Sequence, residues 1–171
     1  MNGEPVFLTL FFALFLAVGL AILGFGLRSL SLSKQAEGWP TTTGRIVSSD
    51  FVTDTDDDGT TYRTKLSYDY NVAGRDYTGD KIAFGYSASS GHAFHREIYE
   101  ALPVNSQVAV RYDANNPARA VLAFGVNQSI LFLLIFGAVW TMFTLGMAAM
   151  FWLGEKGAGG FLENIIVYSR G

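Results

Sequence analysis

The residues best suited to chemistry form a short acidic run, Asp54-Thr55-Asp56-Asp57-Asp58-Gly59. Its carboxylates at positions one, three and five (Asp54, Asp56 and Asp58), with glycine at position six, match the start of a calcium-binding loop. Such a loop ends with a bidentate glutamate at position twelve, and that position here is Lys65. The flanking residues also alternate like strands rather than helices. We therefore expect an acidic hairpin tip, with Asp57 exposed to a partner, and keep calcium binding as the alternative.

Two histidines, His92 and His95, lie three residues apart at the start of a short predicted helix. Two imidazoles at that spacing could share a metal ion, but the sequence offers no evident third ligand. Surface positions on the helix are the simpler interpretation. We predict no metal site and no cofactor.

The third candidate is the loop Gly85–Gly91, which is made mainly of small residues. It lacks the glycine spacing of a nucleophile elbow and contains no lysine of the phosphate-binding type. We predict that Tyr86, Ser87 and Ser89 contact a partner protein. No catalytic residue is assigned, and the chain is not expected to be an enzyme.

The elements that must position these residues are short strands. In Thr61–Val72, apolar and aromatic residues occupy every second position, apart from Thr64, and this alternation indicates a strand with one buried face. A partner strand is predicted at Arg75–Phe84, with a bulge near Gly79-Asp80. The remaining predicted elements are strands at Gly44–Val52, Gln107–Tyr112 and Arg119–Phe124 and a helix at Ala93–Leu102. Together they predict a small antiparallel β-barrel-like domain.

Two long apolar stretches, residues 6–27 and 130–153, flank this domain, and neither contains an ionisable residue. As helices they would be about 33–36 Å long, enough to cross a hydrocarbon core of about 30 Å. The predicted fold class is therefore membrane α+β. The remaining segments are an N-terminal tail (1–5), a juxtamembrane linker (28–42), the soluble domain (43–124) and a Gly-rich C-terminal tail (154–171).

The first apolar stretch exceeds the length of a signal-peptide core and is followed by no cleavage motif, so we expect a retained anchor. Lys156 and Arg170 in the tail favour cytoplasmic termini, whereas a long loop can translocate regardless of its charge. We expect a multi-pass protein of the bacterial inner membrane with an extracytoplasmic domain. A cytoplasmic domain stays the alternative, because Arg28, Lys34 and Arg119 lie on the domain side of the membrane.

Small residues in the apolar stretches allow helices to approach closely. The predicted packing residues are Ala17, Ala21, Gly137 and Gly146. Because the stretches lack ionisable groups, a pump or a secondary transporter is disfavoured. A homo-oligomeric pore stays open, with Thr141 and Thr144 as its modestly polar lining.

Composition excludes further classes. The formal net charge is −3 and no basic stripe occurs, so nucleic acid is not an expected partner. The chain has no cysteine, which removes disulfides, thiolate metal sites and cysteine nucleophiles.

Several segments together carry a family resemblance. They are the nine residues 39–47 (WPTTTGRIV), residues 66–70 (LSYDY) with 74–77 (GRDY), residues 104–113 (VNSQVAVRYD) and Asn116-Pro117. Over about residues 38–123 the chain resembles the DUF3592 family of bacterial membrane proteins. Ala114 stands where that family often has proline. The resemblance implies a helix–barrel–helix layout and no established activity, so it assigns no functional residue.

The leading hypothesis is a non-enzymatic accessory module, for example of an immunity type, that binds a protein partner or another copy of itself beside the lipid bilayer. The alternative is a homo-oligomeric pore or gate whose second helix is controlled by the β domain.

Overall fold

The computed structural model describes residues 3–155, so the tail beyond Glu155 lies outside the described residues. The elements in chain order are α1 (Gly3–Glu37), β1 (Thr41–Asp56), β2 (Gly59–Val72), β3 (Arg75–Gly79), α2 (His92–Ala101), β4 (Gln107–Asp113), β5 (Asn116–Val121) and α3 (Gln128–Glu155). They form two compact units. Residues 25–134 make the first unit, and the outer helix segments, 3–24 and 135–155 among the described residues, make the second.

The five strands form one antiparallel sheet in the order β3-β2-β1-β4-β5. The sheet is open rather than a closed barrel, because no ladder joins its edge strands β3 and β5. It is nevertheless curled. The Tyr70 hydroxyl on β2 donates to the Pro117 carbonyl on β5 at 2.6 Å. The Leu122 and Ala123 N–H groups donate to the Ile82 carbonyl at 3.0 and 2.7 Å. The predicted layout is confirmed, with an open curled sheet in place of a barrel.

The predicted third strand is too long. β3 ends at Gly79 instead of Phe84, because the chain turns there around the Tyr68 ring. A Cβ on Gly79 would lie 2.5 Å from that ring, and the Tyr68 hydroxyl donates to the Lys81 carbonyl at 3.0 Å. The register irregularities also lie elsewhere than predicted, in β1 between Ile46 and Ser48 and in β4 between Tyr112 and Asp113.

The predicted linker 28–42 is mostly helical, because α1 continues to Glu37. Gly26, Ser29, Ser33 and Ala36 are buried, and their spacing of three and four residues places them on one helical face. The Ser33 hydroxyl donates to the Gly125 carbonyl at 2.8 Å. These small residues let the helix lie close to the sheet domain, and this packing stabilises the helix beyond its apolar stretch.

The domain core lies on the inner face of the curled sheet. The alternation along β2 is confirmed there, since Leu66, Tyr68 and Tyr70 are buried. They pack with buried side chains from β1, β4, β5 and the segment after β3, namely Ile46, Val110, Ala120 and Ile82. A second cluster joins Ala36 of α1 to Phe84 and Val121. The last three turns of α1 therefore share a core with the sheet.

In the second unit the two apolar helices contact each other at glycines. A Cβ on Gly19 would lie 2.6 Å from Thr141 Oγ1, and one on Gly137 would lie 2.9 Å from Leu23. The Trp140 indole N–H also donates to the Phe15 carbonyl at 2.9 Å. Glycine allows this approach because it has no side chain.

The other predicted packing residues do not lie at this contact. Three of them are exposed, namely Ala17, Ala21 and Gly146. On α1 the close contact is made by Gly19 rather than by the two predicted alanines. Thr141 and Thr144 donate their hydroxyls to carbonyls of their own helix, at 2.7 and 2.9 Å. The pair is thus satisfied locally rather than lining a surface.

Candidate interaction site

A buried polar network lies where α2 meets β2. The His95 side chain is fully buried, so its predicted surface position is wrong. Its Nδ1 lies 2.8 Å from the Tyr86 hydroxyl and its Nε2 lies 2.8 Å from the Ser89 hydroxyl. His92, by contrast, is exposed and packs its ring edge-on against Tyr62 at 4.8 Å. The two imidazoles are therefore not placed to bind one metal ion.

The network holds the loop 85–91 against the sheet. Tyr62 and Ser89 exchange two backbone hydrogen bonds, of 2.8 and 3.1 Å. Thr64 adds a bond from its N–H to the Tyr86 hydroxyl at 2.9 Å and one from its own hydroxyl to the His95 carbonyl at 2.6 Å. The loop is thus tied to β2 on one side and to α2 on the other.

These contacts change the interpretation of the predicted partner residues. Tyr86 is half-buried and its hydroxyl is engaged in the network, whereas Ser87 and Ser89 are exposed. One feature of the sequence does indicate the network. Thr64 is a polar residue at a core position of an otherwise apolar face, and buried polar groups are normally hydrogen-bonded.

One placement of the protons gives every group of the network a partner. The Tyr86 oxygen accepts from the Thr64 N–H, so its own proton is satisfied by donation to His95 Nδ1. His95 then carries its proton on Nε2 and donates to Ser89. Burial lowers the pKa of His95, which favours this neutral form. In this arrangement His95 bridges Tyr86 and Ser89, and we call the network of Thr64, Tyr86, Ser89 and His95 the clasp.

An open groove of about 450 Å³ lies beside the network. It is lined by Arg63, Thr64, Lys65, Leu66, Asp80, Tyr86, Ser87 and Ala88. The groove is a gap in the pairing along the outer edge of β2. This edge pairs with β3 from Tyr68 onward and with Ser89 of the loop at Tyr62, and the residues between Tyr62 and Tyr68 have no strand beside them within residues 3–155. The two basic side chains outnumber the one carboxylate, so the lining is net positive.

Arg63 is the unusual member of this lining. Its Nε is buried and has no hydrogen-bond partner. Within residues 3–155 the ion pairs are Arg96–Glu100 and Arg119–Asp113, and neither involves Arg63 or Lys65. A buried guanidinium N–H without an acceptor is unfavourable. No sequence pattern indicates this buried Nε, because Arg63 falls on the polar face of β2.

The acidic tip closes the long β1–β2 hairpin. Residues 53–59 are all exposed, and Asp56 and Gly59 pair across the turn. Asp56 accepts the Asp58 N–H at 3.1 Å. In the part of the chain that the structure describes, no group of three or more His, Asp or Glu side chains could hold a metal ion. The hairpin geometry thus does not bring Asp54, Asp56 and Asp58 together as calcium ligands.

The loop begins at a tight junction with both helices. Gly85 has φ +73°, and a Cβ there would lie 2.6 Å from Ile130 of α3 and 3.1 Å from Ser29 of α1. Asn127 caps α3 by accepting the Ile130 N–H at 3.0 Å, and its amide donates to the Phe84 carbonyl at 2.9 Å. Within the unit 25–134, the loop is therefore fixed to both helices.

The comparison with known families agrees with this architecture. The family described as a domain of unknown function, DUF3592, matches residues 42–127. The match covers half of the chain and runs from the start of β1 to the cap of α3. No curated protein matches the chain. The chain belongs to the DUF3592 family.

Proposed function

We propose that this chain is a membrane-anchored, non-enzymatic module that binds a partner protein through its sheet domain. Two helices are long and apolar enough to cross a membrane, Val6–Glu37 and Gln128–Gly154. Only 6% and 17% of their most apolar windows are buried, which is too little for core helices of a soluble domain. The proposed location is the bacterial inner membrane, with the domain on its extracytoplasmic side.

The observation that carries the proposal is the shape of the β1–β2 hairpin. Residues 53–59 extend beyond the rest of the domain and are exposed. The base of the hairpin is fixed, because Phe51 packs against Tyr99 of α2 at 6.0 Å and lies under the Arg96 guanidinium at 4.8 Å. A projecting surface that is already ordered loses little conformational entropy on binding.

The neighbouring loop adds a second exposed surface that is also ordered. Ser87 and Ser89 face solvent while Tyr86 anchors the loop to His95. The chemistry available there is hydrogen bonding to a partner through the exposed serine residues. Recognition fits this arrangement better than catalysis does.

The pore alternative has less support. The hydroxyls of Thr141 and Thr144, which motivated it, are bonded to the backbone of their own helix. Thr144 is buried as well. A pore would therefore need a lining that these residues do not provide.

Site-specific photocrosslinking in native membranes tests the proposal. A photoreactive residue is placed at Asp57 in the hairpin tip, at Ser87 in the loop, or at Asn115 in the exposed β4–β5 turn as the control. We expect a discrete adduct with one other protein from Asp57 or Ser87 and none from Asn115.

Other results would count against the proposal. Equal labelling from all three positions would indicate random collision. If adducts form only between copies of this chain, the chain binds itself rather than another protein, and the result favours the oligomeric alternative. Mass measurement of the adducts separates these cases.

A further inference from the structure

We propose that the groove along the β2 edge receives an extended segment of the partner protein, and that a carboxylate of this segment is bound by Arg63. This inference rests on the proposed function and names the chemistry that the partner must present. It concerns the side of the hairpin where the sheet ladder is interrupted.

The interruption leaves backbone groups that suit an added strand. On β2, Tyr62 exchanges both of its outer-edge hydrogen bonds with Ser89, and in an antiparallel strand alternate residues face the same edge. Thr64 and Leu66 therefore face the same side as Tyr62. The Thr64 N–H is taken by Tyr86. Leu66 lines the groove and precedes Tyr68, where the pairing of β2 with β3 begins, so its edge-facing N–H and C=O have no partner in that ladder. Addition of a strand to such an edge is a recurring mode of peptide recognition.

The dimensions favour a short segment. The edge between the Tyr62 and Tyr68 pairs includes residues 63–67. At about 3.3 Å per residue, this edge is roughly 17 Å long. A groove of about 450 Å³ can therefore admit a few extended residues but no helix.

The charges favour an acidic segment. Arg63 and Lys65 have no ion-pair partner within residues 3–155, and the buried Nε of Arg63 has no acceptor. Arginine binds carboxylates through geometrically specific, charge-assisted hydrogen bonds. A carboxylate in the groove would pair with the Arg63 guanidinium and balance the excess positive charge of the lining.

A simpler explanation is that Arg63 only covers its neighbour. Its cross-strand partner is Val52, and the aliphatic stem of an arginine often lies over an apolar residue while its head stays in water. This explanation predicts that removing the charge changes stability but not ligand binding. The two explanations can therefore be separated by a binding measurement.

The experiment uses the full chain, ¹⁵N-labelled, in detergent micelles. The probe is a blocked pentapeptide, Thr-Val-Asp-Val-Thr, and the control probes are the same peptide with Asn in place of Asp and inorganic phosphate at equal ionic strength. The signals followed are the Leu66 backbone N–H and the Arg63 Nε–H. We expect the acidic peptide to shift both signals to saturation, the Asn peptide to bind about tenfold more weakly, and phosphate to shift neither over the same range.

Matched variants complete the test. Arg63→Met keeps the aliphatic stem and is expected to weaken acidic-peptide binding by about tenfold or more, followed at Leu66. Arg75→Met removes an exposed positive charge from β3 and should leave the affinity within about twofold. The inference is wrong if the acidic peptide gives no saturable shift, if both peptides bind equally, or if phosphate alone saturates the Arg63 signal.

The result can be distinguished from a failure of the proposed function. If photocrosslinks from Asp57 persist while the peptide does not bind the groove, the module still has a partner but the groove is not its docking site. If the peptide binds as expected and no crosslink forms from Asp57 or Ser87 in native membranes, the groove chemistry stands and the proposed partner contact at the hairpin tip and the loop is wrong.

Discussion

Replacing Tyr86 with phenylalanine should destabilise the sheet domain through the loss of one oxygen atom. That oxygen accepts from the Thr64 N–H at 2.9 Å and bonds His95 Nδ1 at 2.8 Å. Both partners are buried, Thr64 at 3% and His95 at 0% exposure, so water does not replace the lost bonds. Leaving two buried polar groups unsatisfied costs about 2–4 kcal/mol.

The matched control is Tyr99→Phe. Tyr99 is also half-buried, and its ring packs against Phe51 at 6.0 Å, but its hydroxyl has no hydrogen bond among the described residues. We expect this change to alter the free energy of unfolding by less than about 0.5 kcal/mol. The comparison separates the loss of a hydroxyl from the loss of these particular hydrogen bonds.

Two measurements report the difference. For a unit of about 110 residues, a change of 1 kcal/mol shifts Tm by about 4 °C, so Tyr86→Phe should lower Tm by about 8–16 °C. Amide hydrogen exchange should also become faster at Thr64 in Tyr86→Phe and not in Tyr99→Phe. Equal shifts in the two variants, or an unchanged Thr64 exchange rate, would refute the assignment of the network.

The same network predicts a pH dependence. Burial lowers the pKa of His95 in the folded protein, whereas an unfolded histidine titrates near 6.5. The neutral form is therefore favoured by folding, and this contribution to stability is complete above about pH 6.5. It is lost as the pH falls below that value, by at most about 1.4 kcal/mol per pH unit. His95→Phe, compared with the wild type by thermal unfolding from pH 7.5 to 5, should show a shallower decline; parallel curves would contradict the prediction.

Three further comparisons test the packing. Gly85→Ala should cost about 2 kcal/mol or more and expose the first turn of α3 to hydrogen exchange, because its Cβ would clash and its φ is +73°. Gly91→Ala, in the same loop at φ −75° and with ordinary contacts, should change stability by less than about 1 kcal/mol. Gly19→Ala should lower the thermal stability of the helix pair in detergent whereas Gly24→Ala should not, since a Cβ on Gly24 meets nothing within 4 Å. Asn127→Ala should cost about 1–2 kcal/mol, measured by denaturant unfolding, because it removes both the helix cap and the bond to the Phe84 carbonyl.

The parts of the fold that the sequence predicted are those with a clear period. The alternation along Thr61–Val72 and the two apolar stretches were sufficient to place β2, α1 and α3. The end of α1 was missed because its buried face is made of small residues, among them Ser29, Ser33 and Ala36. Hydrophobic periodicity does not detect such a face. Its burial depends on packing against the sheet, which is a tertiary effect.

The site was predicted less well for a related reason. His92 and His95 look equivalent in sequence, and only the packing of α2 on the sheet buries one and exposes the other. Tyr86 and Ser89 were identified as loop residues, but their role as hydrogen-bond partners of His95 depends on contacts between separate elements. Arg63 became notable only through what it lacks, an acceptor for its Nε.

The loop 85–91 connects the groove with the segments of α1 and α3 that belong to this unit. At one end Gly85 is held between Ser29 of α1 and Ile130 of α3. One residue later, the Tyr86 hydroxyl is held by β2 and α2, and the ring lines the groove. Packed interiors deform little. A bound segment that moves the Tyr86 ring out of the groove must therefore either break the hydrogen bond to His95 or push Gly85 against the two helices. Coupling between the groove and the helices thus requires the clasp to have two arrangements. The exchange rate of the Thr64 N–H in the wild type, compared with the faster rate expected in Tyr86→Phe, measures how often the bond to Tyr86 opens.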